Sequence, residues 1–216
     1  MDTTNGVFAQ LDPDDRTALQ ALCQTVELAA GQFLSSPARP RPEVHFPLGA
    51  TVVSLIEEPG GHALALGLSG REGVVGLSYA LGLGPGLLSL QVQTGGLALR
   101  IEAHALAALM ARRPRLLLVL MRQLCRQQEE TAVAACLAQS QDIEARLAGW
   151  LCLSAERAGT LELAMTQLHL ARMLGVRRVS VTLAAHRLRD AGLIDYKRGT
   201  LLVRDLSGLR RRANKA

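Results

Sequence analysis

The residues with the most distinctive chemistry in this 216-residue chain lie near its end, in the stretch LGVRRVSVTLAAHRLRDAGLI at residues 174–194. Two adjacent arginines, Arg177 and Arg178, come at the predicted start of a helix. Because a helix N-terminus is already positive, paired cations there favour a nearby anion. The arginine guanidinium can bind a phosphate, or the O6 and N7 atoms of guanine together. The stretch therefore predicts contact with a polyanion; the alternative is a solvated basic surface without a ligand.

The spacing of apolar residues around this stretch predicts two short helices followed by a hairpin. Thr166 is the predicted N-cap of the first helix, and Gly175 closes it in a tight turn. A second helix is predicted over residues 178–191, and a hairpin turns at residues 197–200. Two helices joined by a short glycine-containing turn form a helix-turn-helix, and the hairpin is its wing. In such a motif the second helix enters the major groove of DNA.

This geometry assigns roles to the polar residues of the motif, since the N-terminal part of the second helix meets the bases. We predict base readout by Arg178, Val179 and Thr182. The predicted contacts to the DNA backbone come from Thr166, Arg177, Ser180, Lys197 and Arg198.

The charge distribution of the chain agrees with a basic C-terminal module. Residues 165–216 hold 12 Lys and Arg against 3 Asp and Glu, a net charge of +9. Residues 1–164 hold 12 Lys and Arg against 16 Asp and Glu, a net charge of −4. This asymmetry predicts a separate C-terminal domain with an anionic partner.

The residues before this module must position it, and their pattern changes from strand to helix. Residues 44–102 contain short β-type runs separated by glycines, which is typical of a small antiparallel barrel or sandwich. From Pro114 about 25 residues follow without a helix breaker. A helix of that length usually packs against a copy of itself. The residues that approximate a 3.5-residue repeat, and are predicted to form a dimer interface, are Leu117, Leu120, Met121, Leu124 and Thr131. The alternative is a helix that crosses its own barrel.

Other kinds of chemistry have little support in the sequence. No nucleophile–base pair, metal-ligand spacing or phosphate-binding loop is present, so we expect no enzyme, metal or cofactor. The four cysteines form no C-x-x-C pair and should be free thiols. Cys125 and Cys136 share a helix face, either as a redox pair across a dimer interface or as two small buried apolar residues. The five histidines are isolated, and we interpret each as structural or surface-exposed.

No apolar run reaches the roughly 18 residues that a membrane-spanning helix needs. The N-terminus lacks the pattern of a secretory signal. We therefore expect a cytoplasmic protein without a membrane partner.

The segment TQLHLARMLGVRRVSVTLAAHRLRDAGLI, residues 166–194, closely resembles the DNA-binding motif of the bacterial Crp/Fnr family of transcription regulators. The family layout covers nearly the whole chain, and residues 46–58 and 70–82 resemble a bacterial subgroup of it. The resemblance implies an α+β fold: an N-terminal antiparallel, jelly-roll-like β-barrel, a long dimerisation helix and a C-terminal winged helix-turn-helix. The expected segments are 1–113 for the sensor barrel with flanking helices, 114–139 for the dimerisation helix and hinge, and 140–216 for the DNA-binding domain.

The resemblance implies a homodimer that binds an inverted repeat in double-stranded DNA, with RNA polymerase as a candidate further partner. Relatives that bind cyclic nucleotides have a Glu after a barrel glycine and an Arg-Ser pair on the cyclic phosphate. Here Leu77 follows Gly76, and the following loop has no arginine, so we expect no response to cyclic AMP. Val179 and Leu183 stand where many relatives have a Glu and a second Arg, so the preferred DNA sequence should differ. The alternative function is a small-ligand or redox signalling module with weak or non-specific DNA contact.

Overall fold

The computed structural model describes residues 5–57, 63–84, 86–197 and 199–214. Arg198, a predicted DNA-backbone contact, lies outside the described residues. The chain forms two compact units, Met1–Ser54 with Ser69–Glu130 and Leu55–Leu68 with Thr131–Ala216. Leu55–Leu68 belongs to the same unit as the C-terminal part of the chain, and the three expected segments stay a prediction.

Strands and short helices make up the first hundred residues, followed by two consecutive helices. In chain order the elements are α1 (Gly6–Ala9), α2 (Pro13–Leu22), β1 (Gln24–Leu28), β2 (Phe33–Ser35), β3 (Glu43–Pro47), β4 (Thr51–Glu57), β5 (Ala63–Ser69), α3 (Leu77–Ala80), β6 (Ser89–Thr94), β7 (Gly96–Glu102), α4 (Ala103–Arg112) and α5 (Pro114–Ser140). Proline suits the first turn of α5, where its missing N–H costs no hydrogen bond.

The strands of this region form two sheets, with orders β1-β7-β3 and β2-β6-β4-β5. The predicted antiparallel, jelly-roll-like arrangement of strands is therefore present, as two sheets that do not close into one barrel among the described residues. The chain changes sheets between β3 and β4, where the N–H groups of residues 48–50 all point at the carbonyl oxygen of Leu97. This turn separates the two sheets instead of continuing one hydrogen-bonded ladder around a barrel.

The core of the first unit explains how α5 is placed. Phe8 and Phe46 meet edge to face with ring centroids 5.2 Å apart. Leu116, Val119 and Leu120 of α5 are buried in the same apolar cluster. One face of α5 is therefore occupied by its own unit.

The predicted dimer interface needs correction for this reason. Leu120 is only 1% exposed and so is unavailable to a partner. Leu117 and Leu124 pack partly against the same core, and the Thr131 hydroxyl donates to the carbonyl oxygen of Leu66. Met121, by contrast, is 40% exposed. The apolar repeat in the sequence thus mixed residues from two faces of the helix.

The two cysteines on α5, interpreted either as a redox pair or as small buried apolar residues, lie at the surface of the chain. Cys125 and Cys136 are exposed in the single chain, so only a partner could bury them. Cys152 is buried and Cys23 is half-buried, and burial raises the pKa of the Cys23 thiol to about 12 and that of the Cys152 thiol to about 11.

The remaining elements belong to the second unit: α6 (Ile143–Ala158), β8 (Glu162–Leu163), α7 (Gln167–Leu174), α8 (Arg178–Asp190), β9 (Ile194–Lys197), β10 (Thr200–Val203) and α9 (Leu206–Ala213). Asp142 caps α6 by accepting from the N–H of Ala145 at 2.8 Å, and Gly159 ends it in the left-handed conformation. Leu147 and Leu151 of α6 pack against Leu170 of α7 and Leu188 of α8 in one buried cluster. Among the described residues, no helix is long and apolar enough to cross a membrane.

Candidate nucleic-acid interface

The first helix of the motif, α7, is fixed at both ends by local contacts. The Thr166 side chain caps it and accepts from the N–H of His169 at 3.1 Å, as predicted from the sequence. Gly175 ends it with φ 63°, a conformation that glycine adopts without strain. The Arg146 guanidinium donates to the carbonyl oxygen of Leu174, so a cation covers the negative end of the helix. As a result, the turn into α8 has a defined direction.

The second helix, α8, begins with an open N-terminus. Arg177 has extended backbone angles and its side chain makes no capping hydrogen bond. The first backbone groups of α8 are therefore left for an outside acceptor, as at helix N-termini that bind phosphate. Arg177 and Arg178 are both exposed, and neither has an acidic partner among the described residues. Two free guanidinium groups thus lie beside a positive helix end.

The side chains of α8 divide into an inner and an outer face. The predicted inner residues Val181 and Leu188 are fully buried, and Ala184 and Ala185 lie beside them in the core. On the outer face, Val179 is 69% exposed and Leu183 is 57% exposed. The structure thus leaves the predicted base-reading residues Arg178 and Val179 open to a ligand.

Thr182, the third residue predicted to contact bases, has a partner within the protein. Its hydroxyl group donates to the side-chain oxygen of Gln167 at 2.7 Å, and lies 3.1 Å from the carbonyl oxygen of Arg178. The hydroxyl proton is therefore engaged, although the oxygen retains acceptor capacity. Gln167 was absent from the sequence-based assignment; its position directly after the N-cap of α7 is the signal that could have identified it.

The wing is a three-stranded antiparallel sheet with order β8-β10-β9. Lys197 and Thr200 are paired across the hairpin turn, and the Lys197 side chain is exposed. Asp195 braces the wing: it accepts from Arg204 at 3.1 Å, which together with a backbone N–H lowers the pKa of that carboxyl group. The sequence analysis identified the wing but missed both this ion pair and strand β8.

Several other arginines of the second unit are neutralised by acidic groups. Arg210 is paired with Glu156 at 2.8 Å. The buried Glu144 lies within ion-pairing distance of Arg212, at 2.6 Å, and of Arg187, at 3.7 Å. Arg177, Arg178 and Lys197, by contrast, are exposed without an acidic partner among the described residues, and all three are positions predicted to meet DNA.

Several side chains near Gly76 and on the facing helix have contacts within the protein. Leu77, which follows Gly76, is buried in the core of the first unit. On the facing helix, Gln127 donates to the carbonyl oxygen of Val74 at 2.9 Å and to the Ser69 hydroxyl at 3.2 Å. Arg71 donates to the carbonyl oxygen of Leu48. The side-chain oxygen of the buried Gln123, by contrast, has no hydrogen-bond partner within the described ranges.

Metal binding has no support in the part of the chain that the structure describes, where His, Cys, Asp and Glu form no group of three that could hold an ion. His45, His169 and His186 do not converge: His45 is buried in the first unit, and the other two lie on α7 and α8. His62 lies outside the described residues.

Comparison with known proteins identifies the domain that carries this interface. Residues 145–212 match the family model of the Crp-like helix-turn-helix domain. No curated protein sequence matches the chain.

Solved structures of transcription regulators share the fold of the whole chain. A Crp/Fnr-family regulator from Eubacterium rectale has a TM-score of 0.75 at 14% identity, over 97% of this chain and 98% of that one. The c-di-GMP-responsive regulator CLP of Xanthomonas campestris has a TM-score of 0.73 at 18% identity, over 90% and 100%. A CRP/FNR-family regulator from Thermus thermophilus has a TM-score of 0.71 at 22% identity, over 89% and 99%.

Proposed function

We propose that this protein is a Crp/Fnr-type transcription regulator that binds an inverted repeat in DNA as a homodimer, because residues 145–212 match the Crp-like helix-turn-helix domain and the whole chain has the fold of Crp/Fnr-family regulators. The relatives are transcription regulators and not enzymes, which agrees with the absence of catalytic patterns in the sequence. We also propose which residues contact DNA, which face of the protein forms the dimer, and that cyclic AMP has no effect.

The observation that carries the proposal is the unpaired positive charge at the start of α8. Arg177 and Arg178 are exposed beside an uncapped helix N-terminus, whereas Arg187, Arg210 and Arg212 have carboxylate partners. Arg178 is the candidate for bidentate binding to guanine. Arg177, Ser180, Thr166 and Lys197 are candidates for contacts to phosphate, which position the protein on the duplex.

The proposed dimer forms through the exposed apolar side of α5. At about 100° per residue, Leu118, Cys125, Ala132 and Cys136 fall within a narrow stripe, and all four are exposed. Met121 borders the same stripe. Two such helices in parallel would bury the stripe and present two recognition helices to successive major grooves, about 34 Å apart. The proposed interface thus lies opposite the face that packs on the sheets.

We expect no response to cyclic AMP. A bound cyclic phosphate needs a positive partner in a buried site, and burial of Leu77 fills the position from which relatives contact the ribose. The hydrogen bonds of Gln127 to Val74 and Ser69 would have to break for a ligand to enter beside α5.

We further propose the cellular compartment of the protein and a second macromolecular partner. A protein that acts on chromosomal DNA in a bacterium works in the cytoplasm, and RNA polymerase is a candidate further partner. The competing function is a small-ligand or redox signalling module with weak DNA contact. It is favoured only by the exposure of Cys125 and Cys136.

Duplex binding at several salt concentrations separates these functions. For DNA binding through the second unit, log affinity should fall with log salt by roughly 0.9 for each phosphate neutralised, and one sequence should be preferred. Weak binding that ignores sequence would favour the signalling module. Calorimetric titration with cyclic AMP tests the effector, and tight binding would contradict the proposed insensitivity.

A further inference from the structure

Two large apolar side chains stand next to each other on the outer surface of α8. Val179 is 69% exposed and Leu183 is 57% exposed. Four residues apart on a helix, they are neighbours with about 5–6 Å between their Cβ atoms. Single exposed apolar residues are ordinary on protein surfaces, but this pair forms a continuous strip in the motif that binds DNA.

The strip lies at the centre of the outer face. With about 100° per residue, Val179 is opposite the buried Leu188, and Leu183 is only about 40° away from Val179. Arg178 lies to one side of this line, and the Thr182 hydroxyl is turned to Gln167. The beginning of this outer face therefore offers methyl groups, and His186, exposed about one turn beyond Leu183, adds a hydrogen-bond donor further along the same side.

The charge around the strip indicates what covers it. Residues 163–189 contain no Asp or Glu, and the nearby Arg177 and Arg178 have no acidic partner among the described residues. An apolar strip inside a positive surface fits a polyanion that carries apolar groups better than it fits an apolar protein surface. DNA has such a group in the major groove, the 5-methyl group of thymine.

Resting on the proposed function, we propose that Val179 and Leu183 form a binding site for the 5-methyl groups of thymines, and that they determine the sequence preferred at the centre of each half-site. The polar edges of other bases would lose water beside these side chains without gaining a hydrogen bond, which is unfavourable. The distance between the two side chains corresponds to between one and two base steps of 3.4 Å. The site therefore takes two thymines within that distance.

Replacement of thymine by deoxyuridine in a bound duplex tests this directly, because it removes the methyl group and keeps every hydrogen-bonding atom. The wild-type protein should bind the duplex with two such replacements about 10-fold more weakly, from the loss of two buried methyl groups. The double variant Val179→Ala, Leu183→Ala should distinguish the two duplexes by less than about 2-fold. Leu168→Ala is the matched control, since Leu168 is also 57% exposed but lies on α7, and it should discriminate as the wild type does.

The outcomes distinguish a failure of the proposed methyl-binding site from a failure of the proposed regulator function. Equal binding of both duplexes by the wild type, with sequence preference retained, would overturn the methyl site and leave the regulator function intact. Full discrimination by the double variant would likewise overturn it. Absence of any sequence preference in unmodified DNA would instead contradict the proposed function itself.

Discussion

Thr182 of α8 and Gln167 of α7 are joined by a hydrogen bond of 2.7 Å between the hydroxyl group and the side-chain oxygen. The bond connects the two helices of the motif close to the end of α8 that is proposed to face DNA. It therefore gives Thr182 a role in orienting α8, in addition to any contact with a base.

A double-mutant cycle measures this bond. Thr182→Val and Gln167→Met each remove one partner, and we expect a coupling of about 0.5–1.5 kcal/mol in the free energy of unfolding, measured with urea. Thr182→Ser is the control, because it retains the hydroxyl group and should retain most of the coupling. Strictly additive effects of the two substitutions would show that the contact does not orient the helices.

The two arginines at the start of α8 should differ in their effects on DNA binding. Arg178→Ala should cost about 1–3 kcal/mol of discrimination against a changed base pair, because a bidentate contact to guanine is lost. Arg177→Ala should weaken all sequences alike and reduce the salt slope by about 1, as expected for one phosphate contact. Fluorescence anisotropy with matched and mismatched duplexes measures both. The assignment fails if Arg178→Ala leaves the sequence preference unchanged.

Cysteine oxidation tests the proposed dimer face. Cys125 and Cys136 are exposed on one stripe of α5, so in a parallel dimer each would lie near its own copy in the partner. Treatment with diamide should produce covalent dimers on a non-reducing gel. A disulfide requires two Cα atoms about 4.4–6.8 Å apart, and cysteines that face their own copies in a parallel helix pair meet this requirement. The double variant Cys125→Ser, Cys136→Ser should remain monomeric on that gel, since Cys152 is buried and Cys23 is half-buried. Exclusively monomeric wild type after oxidation would argue against this face.

Burial of His45 predicts a pH-dependent stability. Burial, and then the nearby Arg100, lower the pKa of this imidazole from 6.5 to about 4; Glu43, 3.8 Å from Nε2, is itself bound to Arg100. Because the unfolded chain binds a proton more readily than the folded one, stability falls as pH decreases from about 6.5 to about 4. The loss reaches roughly 3 kcal/mol.

Urea unfolding at a series of pH values checks this expectation. His45→Asn should unfold with a flatter dependence on pH over the same range, whatever its stability at neutral pH. The same slope in both proteins would mean that His45 is not the responsible group.

Local signals in the sequence predicted much of the second unit. The cap at Thr166, the left-handed Gly175 and the helix that begins at Arg178 are all present in the structure. Each of these features depends on a few neighbouring residues. That dependence explains why the helix-turn-helix and its wing were found from the sequence.

Features that depend on distant residues were not predicted. Leu116 to Met121 form a run of apolar residues around the whole helix, so its periodicity could not separate the face on the sheets from the exposed face. Strand β8 has two residues and exists only by pairing with β10. The turn at residues 48–50, where the chain passes from one sheet to the other, depends on N–H groups that meet the carbonyl oxygen of the distant Leu97.

The residues of the proposed DNA interface differ in the same way in how far the sequence predicts them. Arg177, Arg178 and Lys197 are recognisable from charge and spacing alone. The partners that neutralise Arg187, Arg210 and Arg212 come from α6, and their positions follow only from the folded domain.

Selection of bound duplexes from random DNA tests the central claim most directly. For a homodimer with two recognition helices, the selected sites should be inverted repeats with half-site centres 10–10.5 base pairs apart, or a multiple of that distance. Arg178→Ala should select a less defined sequence at one position of each half-site. Recovery of DNA without a shared sequence, or of single half-sites without symmetry, would contradict the account.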